Sequence, residues 1–251
     1  MRPSKFAFCL GFFALSIPAL AATPDPNAVL YNQTGATLLE EMRYDDAIRY
    51  LREATTIDPS YEPAHRNLSS ALLHTGDVDG AVKEAYTATG LDPTDGFAYA
   101  YLGQAYSAGG HLSEAVESAE DGIRAEPGNA DLVCILGVIL DQNGMSKAAV
   151  TQFRYALKLD PDSCGAHCDL GDAYLHLGRY ADAIRELRRA VKLYHDYPYA
   201  YLELGLALYK SGDHAGGRAE WQRVLHTRDA SSAAAAQYYL RNYPLQTPKP
   251  F

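Results

Sequence analysis

The sequence predicts an all-α superhelical solenoid of six tandem helix-turn-helix units with a closing helix. Three observations predict it: residue types recur every 34 positions, apolar residues within each interval follow helical spacing, and glycine and proline punctuate the intervals at constant places. Blocks beginning at Ala28, Glu62, Gly96, Ala130, Cys164 and Pro198 align without insertion. Their eighth place holds Gly35, Ser69, Gly103, Gly137, Gly171 and Gly205; the twentieth holds Ala47, Ala81, Ala115, Ala149, Ala183 and Gly217. Small residues at both places let two helices approach closely. The seventh place supplies bulk, with Leu68, Leu102, Leu136, Leu170 and Leu204 after Thr34 in the first block.

Taken in chain order, MRPSK is a short basic start, followed by the apolar run FAFCLGFFALSIPALAA. That layout is a secretory leader, and Ala19 and Ala21 place its cleavage after residue 21. An uncleaved anchor is the competing reading, but the run lies at the low edge of the roughly 17–25 residues a span needs, and Pro18 disfavours it. The chain is therefore expected to be exported, to the periplasm or beyond. Residues 22–27 form a short linker. Six repeats follow at 28–61, 62–95, 96–129, 130–163, 164–197 and 198–231.

Each repeat is two helices, as Tyr99, Leu102, Gly103 and Tyr106, then Leu112, Ala115, Val116, Ala119 and Ile123 show for the third. Gly76, Gly110, Gly144, Gly178 and Gly212 end the first helices, with Met42 standing at the corresponding turn of the first repeat. Asp58-Pro59, Asp92-Pro93, Glu126-Pro127 and Asp160-Pro161 separate one repeat from the next, whereas His195 and Asp229 replace proline in the last two. Helices this short are marginal alone, so stacking must stabilise them. Residues 232–242, SAAAAQYYLRN, read as a closing helix over the sixth repeat, and 243–251 as a mobile tail.

The pattern L-G-x-x-Y (Leu102, Gly103, Tyr106; Leu170, Gly171, Tyr174), then alanine, then Phe153, Leu187 or Trp221, then alanine and proline, resembles the tetratricopeptide repeat family over residues 28–231. With the leader, the chain is similar to exported bacterial members. The resemblance implies a right-handed superhelix whose first helices line a concave groove for peptides or protein surfaces. It implies a scaffold or assembly factor of the cell envelope; apart from the resemblance, catalytic residues usually sit on loops and this chain has only short turns, so no catalytic role is expected.

At groove places the chain offers Arg66, Asn67 and Ser70, then Tyr101 and Gln104, then Asp141, Asp169, Asp172 and His176, and finally Tyr209. The mixed first half gives way to a carboxylate-rich second half. Such a surface suits an extended segment with a basic stretch and an apolar anchor. Against 22 Lys and Arg stand 31 Asp and Glu, and the leader would remove Arg2 and Lys5 as well. Nucleic acid, bound mainly through phosphate neutralisation, is not the expected partner.

A second reading rests on Cys134, Cys164 and Cys168, which with His167 could serve a metal- or thiol-responsive protein. His65 occupies the same place as His167 without neighbouring cysteines, which favours a packing role, and no C-x-x-C-H order supports haem attachment. No nucleophile motif or phosphate-binding loop is present; LGQAY and LGDAY carry helix-packing glycines. Neither a metal nor another cofactor is expected.

Overall fold

The computed structural model describes residues 23–227 and 229–244. The leader expected over 1–21 lies outside them, as do residues 245–251 of the expected tail. Among the described residues there are thirteen α-helices and no strand. They are α1 (Pro26–Glu40), α2 (Tyr44–Ile57), α3 (Glu62–Thr75), α4 (Val78–Leu91), α5 (Gly96–Ala108), α6 (Leu112–Ala125), α7 (Ala130–Gln142), α8 (Ser146–Leu159), α9 (Cys164–His176), α10 (Tyr180–Leu193), α11 (Pro198–Lys210), α12 (His214–Val224) and α13 (Ala230–Asn242).

Local chemistry sets the ends. Asp77, Asp95, Ser163, Asp213 and Asp229 accept backbone N–H groups at helix starts, satisfying donors that the helix itself leaves free. Turns within the pairs need a left-handed residue, supplied by Gly76, Gly110, Gly144, Gly178 and Gly212. The first pair uses Met42 at φ 58°, where a Cβ is strained by roughly 1–2 kcal/mol. Met42→Gly is accordingly expected to raise the melting temperature by about 2–4 °C. A calorimetric scan checks this; a lower melting temperature would show that methionine contacts outweigh the strain.

A reciprocal size rule packs each pair. Leu51, Phe153, Leu187 and Trp221, all fully or almost fully buried, occupy the twenty-fourth place. Each presses on the eighth-place glycine of its own repeat, so that a Cβ built on Gly35, Gly137, Gly171 or Gly205 would collide with it. Where the twenty-fourth place is Ala85, the eighth can be Ser69, whose hydroxyl donates to the Ala81 carbonyl at 2.8 Å. Opposite Ala119 the helices close until a Cβ on Gly103 would lie 2.8 Å from the Ala115 carbonyl oxygen.

Between repeats, α1, α3, α5, α7, α9 and α11 contact one another in succession, while even-numbered helices up to α12 make no such contacts among the described residues. First helices therefore follow the shorter, inner arc of a superhelix and line its groove. The open end is closed by α13, which packs on α12 and α11. There Leu202, Trp221, Val224 and Ala236 form a buried cluster joined by Leu206, Tyr239 and Tyr243. The expected tail thus begins too early at residue 243. Tyr243 lies edge-on to Tyr209 and its carbonyl accepts from Arg218 at 2.6 Å, so two of the residues assigned to the tail, Tyr243 and Pro244, are fastened to the solenoid.

Candidate functional site

The inner groove is built from the odd-numbered helices, and hydrogen bonds between successive repeats cross it. Asn67 donates to the Asn32 side chain at 2.9 Å, Asn143 to the Ser107 hydroxyl at 2.8 Å, and His176 Nδ1 meets Asp141 Oδ2 at 2.8 Å. Partners separated by 35 or 36 residues lie side by side because one repeat is 34 residues long and the helices are tilted. Several residues expected to face a partner are therefore already engaged with the neighbouring repeat.

In the first half, Arg66 pairs with Asp95 at 2.6 Å and faces Glu62 at 3.8 Å. Burial pushes Glu62 up to about 7 despite that arginine. Ser70 is buried, its backbone carbonyl 2.9 Å from His74 Nδ1, and so contributes little surface. Tyr101 and Gln104 remain half-buried on the inner face. Gln104 joins His74, Ser107, Gln142 and Asn143 around a cleft of about 410 Å³. These side chains offer both donors and acceptors, the chemistry needed along an extended backbone.

The second half is acidic and more enclosed. A cleft of about 380 Å³ lies between α9, α11 and α13, bounded by Asp172, His176, Tyr199, Glu203, Lys210 and Tyr239. Tyr199 donates to Asp172 at 2.5 Å, while Asp172 Oδ1 and Asp141 Oδ1 are buried without a hydrogen-bond partner. Burial, reinforced by the Glu203 charge, raises the Asp172 pKa; burial also raises Glu203, with the nearby His176 opposing it. Burial and the Asp141 charge push Asp169 up to about 6.

These carboxyls hold protons more tightly folded than unfolded. Their stabilising contribution is complete below the unfolded carboxylate value, roughly 4, and is lost as pH rises through the folded values. Relative to the parent, Asp172→Asn with Glu203→Gln is expected to gain about 2–4 °C in melting temperature between pH 5 and pH 8. Parallel melting curves at the two pH values are the measurement, and a gap that does not change would contradict the buried-carboxyl account.

Glu203 is the residue the sequence reading passed over. It occupies the sixth place of its repeat, as Asn67, Tyr101 and Asp169 do, so the register itself was its signal. Tyr239 is absent from that register because it arrives from the closing helix. Tyr209, expected in the groove, is corrected to a closing-helix contact: its ring packs on Trp221 and Tyr243 and its hydroxyl donates to the Pro244 carbonyl at 2.8 Å.

The cysteine cluster does not assemble a site. Among the described residues no group of three or more His, Cys, Asp and Glu is arranged to hold a metal ion. Cys134, Cys164 and Cys168 are free thiols, Cys164 directing its S–H toward the Ala190 carbonyl at 3.5 Å. Burial and then the Asp169 charge push Cys134 up to about 12; burial raises Cys168 still further, with Asp172 adding to it. The free thiolates are disfavoured here, which makes these cysteines poor nucleophiles for thiol–disulfide exchange. His167 instead packs against Glu186 and the Pro161 carbonyl, away from any ligand role.

Comparison with known families finds tetratricopeptide repeat models at residues 38–102, 102–163 and 153–185, and a TPR repeat model at 171–212. No curated protein matches by sequence. Among solved structures, a thermophilic TPR protein of Thermus thermophilus is 23% identical, with a TM-score of 0.67 over 72% of this chain and 98% of that one. The Cut9–Hcn1 hetero-tetramer of APC/C gives 21% identity and a TM-score of 0.67 over 85% of this chain and 43% of the other. Human IFIT1, solved as a dimer with m7Gppp-AAAA, gives 15% identity and a TM-score of 0.70 over 82% of this chain and 51% of its own. At these identities the likeness concerns the fold.

Proposed function

Because the chain belongs to the tetratricopeptide repeat family, we propose that it is a non-enzymatic interaction scaffold or assembly factor that takes an extended protein segment in its concave groove. The observation carrying this reading is the two-part groove. An amide- and hydroxyl-lined cleft suits the backbone of a segment, while the later cleft, with Asp172 and Glu203 beside Tyr199 and Tyr239, suits a lysine or arginine side chain, whose charge would favour loss of the protons that burial holds on the two carboxyls. Leu175 and Leu206 supply apolar surface in the same cleft for an anchor.

The leader-like start supports placing this scaffold in the cell envelope, as an exported protein acting outside the cytoplasm. No helix among the described residues is long and apolar enough to cross a membrane. One IFIT1 structure holds m7Gppp-AAAA, but of the two clefts of this groove the first is lined by no lysine or arginine and the second by Lys210 alone, too little positive charge for phosphates, so RNA is not the proposed partner.

Fluorescence anisotropy with labelled extended peptides of matched length, one basic and one acidic, provides the test. The basic peptide is expected to bind at least about tenfold more tightly, and Asp172→Asn with Glu203→Gln to remove most of that preference. Equal affinity for both peptides, or a preference untouched by the substitutions, would place the binding surface elsewhere.

A further inference from the structure

Two histidines three repeats apart make the same pair of contacts. His65 on α3 places Nδ1 2.7 Å from Glu84 on α4 and Nε2 3.1 Å from the Pro59 carbonyl in the turn before α3. His167 on α9 places Nδ1 3.0 Å from Glu186 on α10 and Nε2 3.2 Å from the Pro161 carbonyl in the turn before α9. Both imidazoles are largely enclosed, with side-chain exposures of 10% and 12%. The same place in other repeats holds Tyr31, Tyr99, Val133 and Tyr201, so the arrangement is not required by the fold.

A carbonyl and an ionised carboxylate can only accept hydrogen bonds. A neutral imidazole has one N–H and satisfies one of them; an imidazolium satisfies both. We propose that His65 is a proton-operated clamp, tying α3 to α4 and to the turn from the preceding repeat and slackening when the ring loses a proton; His167 repeats the same contacts between α9, α10 and the turn before α9. Since the clamp grips an inter-repeat turn, its release loosens the stacking of repeat two on repeat one.

The surrounding charges agree with this. Burial alone would lower the His65 pKa, but Glu84, the Pro59 carbonyl and the Glu62 charge outweigh it and hold it above its ordinary value. Asp58 in the turn adds negative charge, while Lys83 approaches Glu84 from the solvent side at 3.9 Å. At the equivalent site in the fifth repeat the His167 hydrogen bond, with Arg185 assisting against burial, holds Glu186 below the usual carboxylate range. With the His65 value raised, its contribution is present below the unfolded value of roughly 6.5 and is lost as pH rises through the folded one. With the Glu186 value lowered, its contribution is present above roughly 4.3 and is lost on acidification. The clamp is thus closed in mildly acidic solution and opens toward alkaline pH.

The repeats supply the control substitution, because tyrosine already occupies this place three times. Melting temperatures of the parent and of His65→Tyr are compared from pH 5.5 to pH 9, a subtraction that cancels the titration of the acidic groove. The parent's advantage is expected to shrink by about 2–4 °C across that range. A constant difference would overturn the clamp. If the variant does not fold, imidazole NMR of the parent decides: both ring N–H protons of His65 should be hydrogen-bonded at pH 5.5, and a ring carrying a single proton there would equally overturn it.

Discussion

Trp221→Ala is expected to destabilise the protein by about 3–5 kcal/mol, corresponding to a fall in melting temperature of roughly 6 °C or more. Trp221 is fully buried, and its Nε1–H donates to the Leu202 carbonyl at 3.0 Å. Its indole stacks on Tyr239 at 5.1 Å between ring centroids, packs on Tyr209 at 5.7 Å and meets Tyr243 at 5.6 Å. One side chain therefore fills the space against Gly205 and holds the closing helix. Its removal leaves a large cavity beneath the closing helix, so α13 should detach before the rest unfolds. Hydrogen exchange checks this: amides of residues 230–242 are expected to lose protection first. Protection lost uniformly along the chain would mean that the closing helix is not a separate unit. Trp221→Phe, which keeps most of the volume, is expected to lose substantially less.

Gly171→Leu should destabilise by about 3 kcal/mol through overpacking. A Cβ at that position would lie 2.5 Å from Leu187 Cγ and 2.9 Å from its Cδ2, and Leu187 is itself fully buried between its helix and the next repeat. Relief requires α9 and α10 to separate. The strain cannot be confined to one pair, because each repeat is the floor of its neighbour. A denaturant titration measures the loss, and a midpoint equal to the parent's would contradict the reciprocal packing of the eighth and twenty-fourth places. Leu187→Ala in the same chain gives a second reading, since it should make the leucine at 171 less costly than in the parent background.

The groove was only partly legible. Arg66, Asn67, Asp141, Asp172 and His176 can be assigned to its face from their places in the repeat, because the period fixes which way each helical position points. Their engagement cannot be read that way. Whether Asn67 faces a partner or bonds to Asn32 depends on how far one repeat is rotated against the next. The titration of Asp169, Asp172 and Glu203 is equally invisible in the residue order, since it follows from desolvation where α9, α11 and α13 converge. His65 and His167 illustrate both limits: the register marks them as equivalent, yet only the packing of the helices sets Glu84 and Glu186 opposite their rings.

By itself the sequence determined the helical class, the 34-residue unit, the turns and the inner face, since each follows from spacing and from backbone preferences that act within one repeat. Tertiary structure alone decided the angle between repeats, the course of the closing helix over Trp221 and Tyr209, and which polar groups are buried together. The physical reason is range. Helix and turn formation are settled among residues a few positions apart, whereas desolvation and shape at a groove depend on surfaces brought together from distant parts of the chain, whose mutual tilt no local pattern encodes.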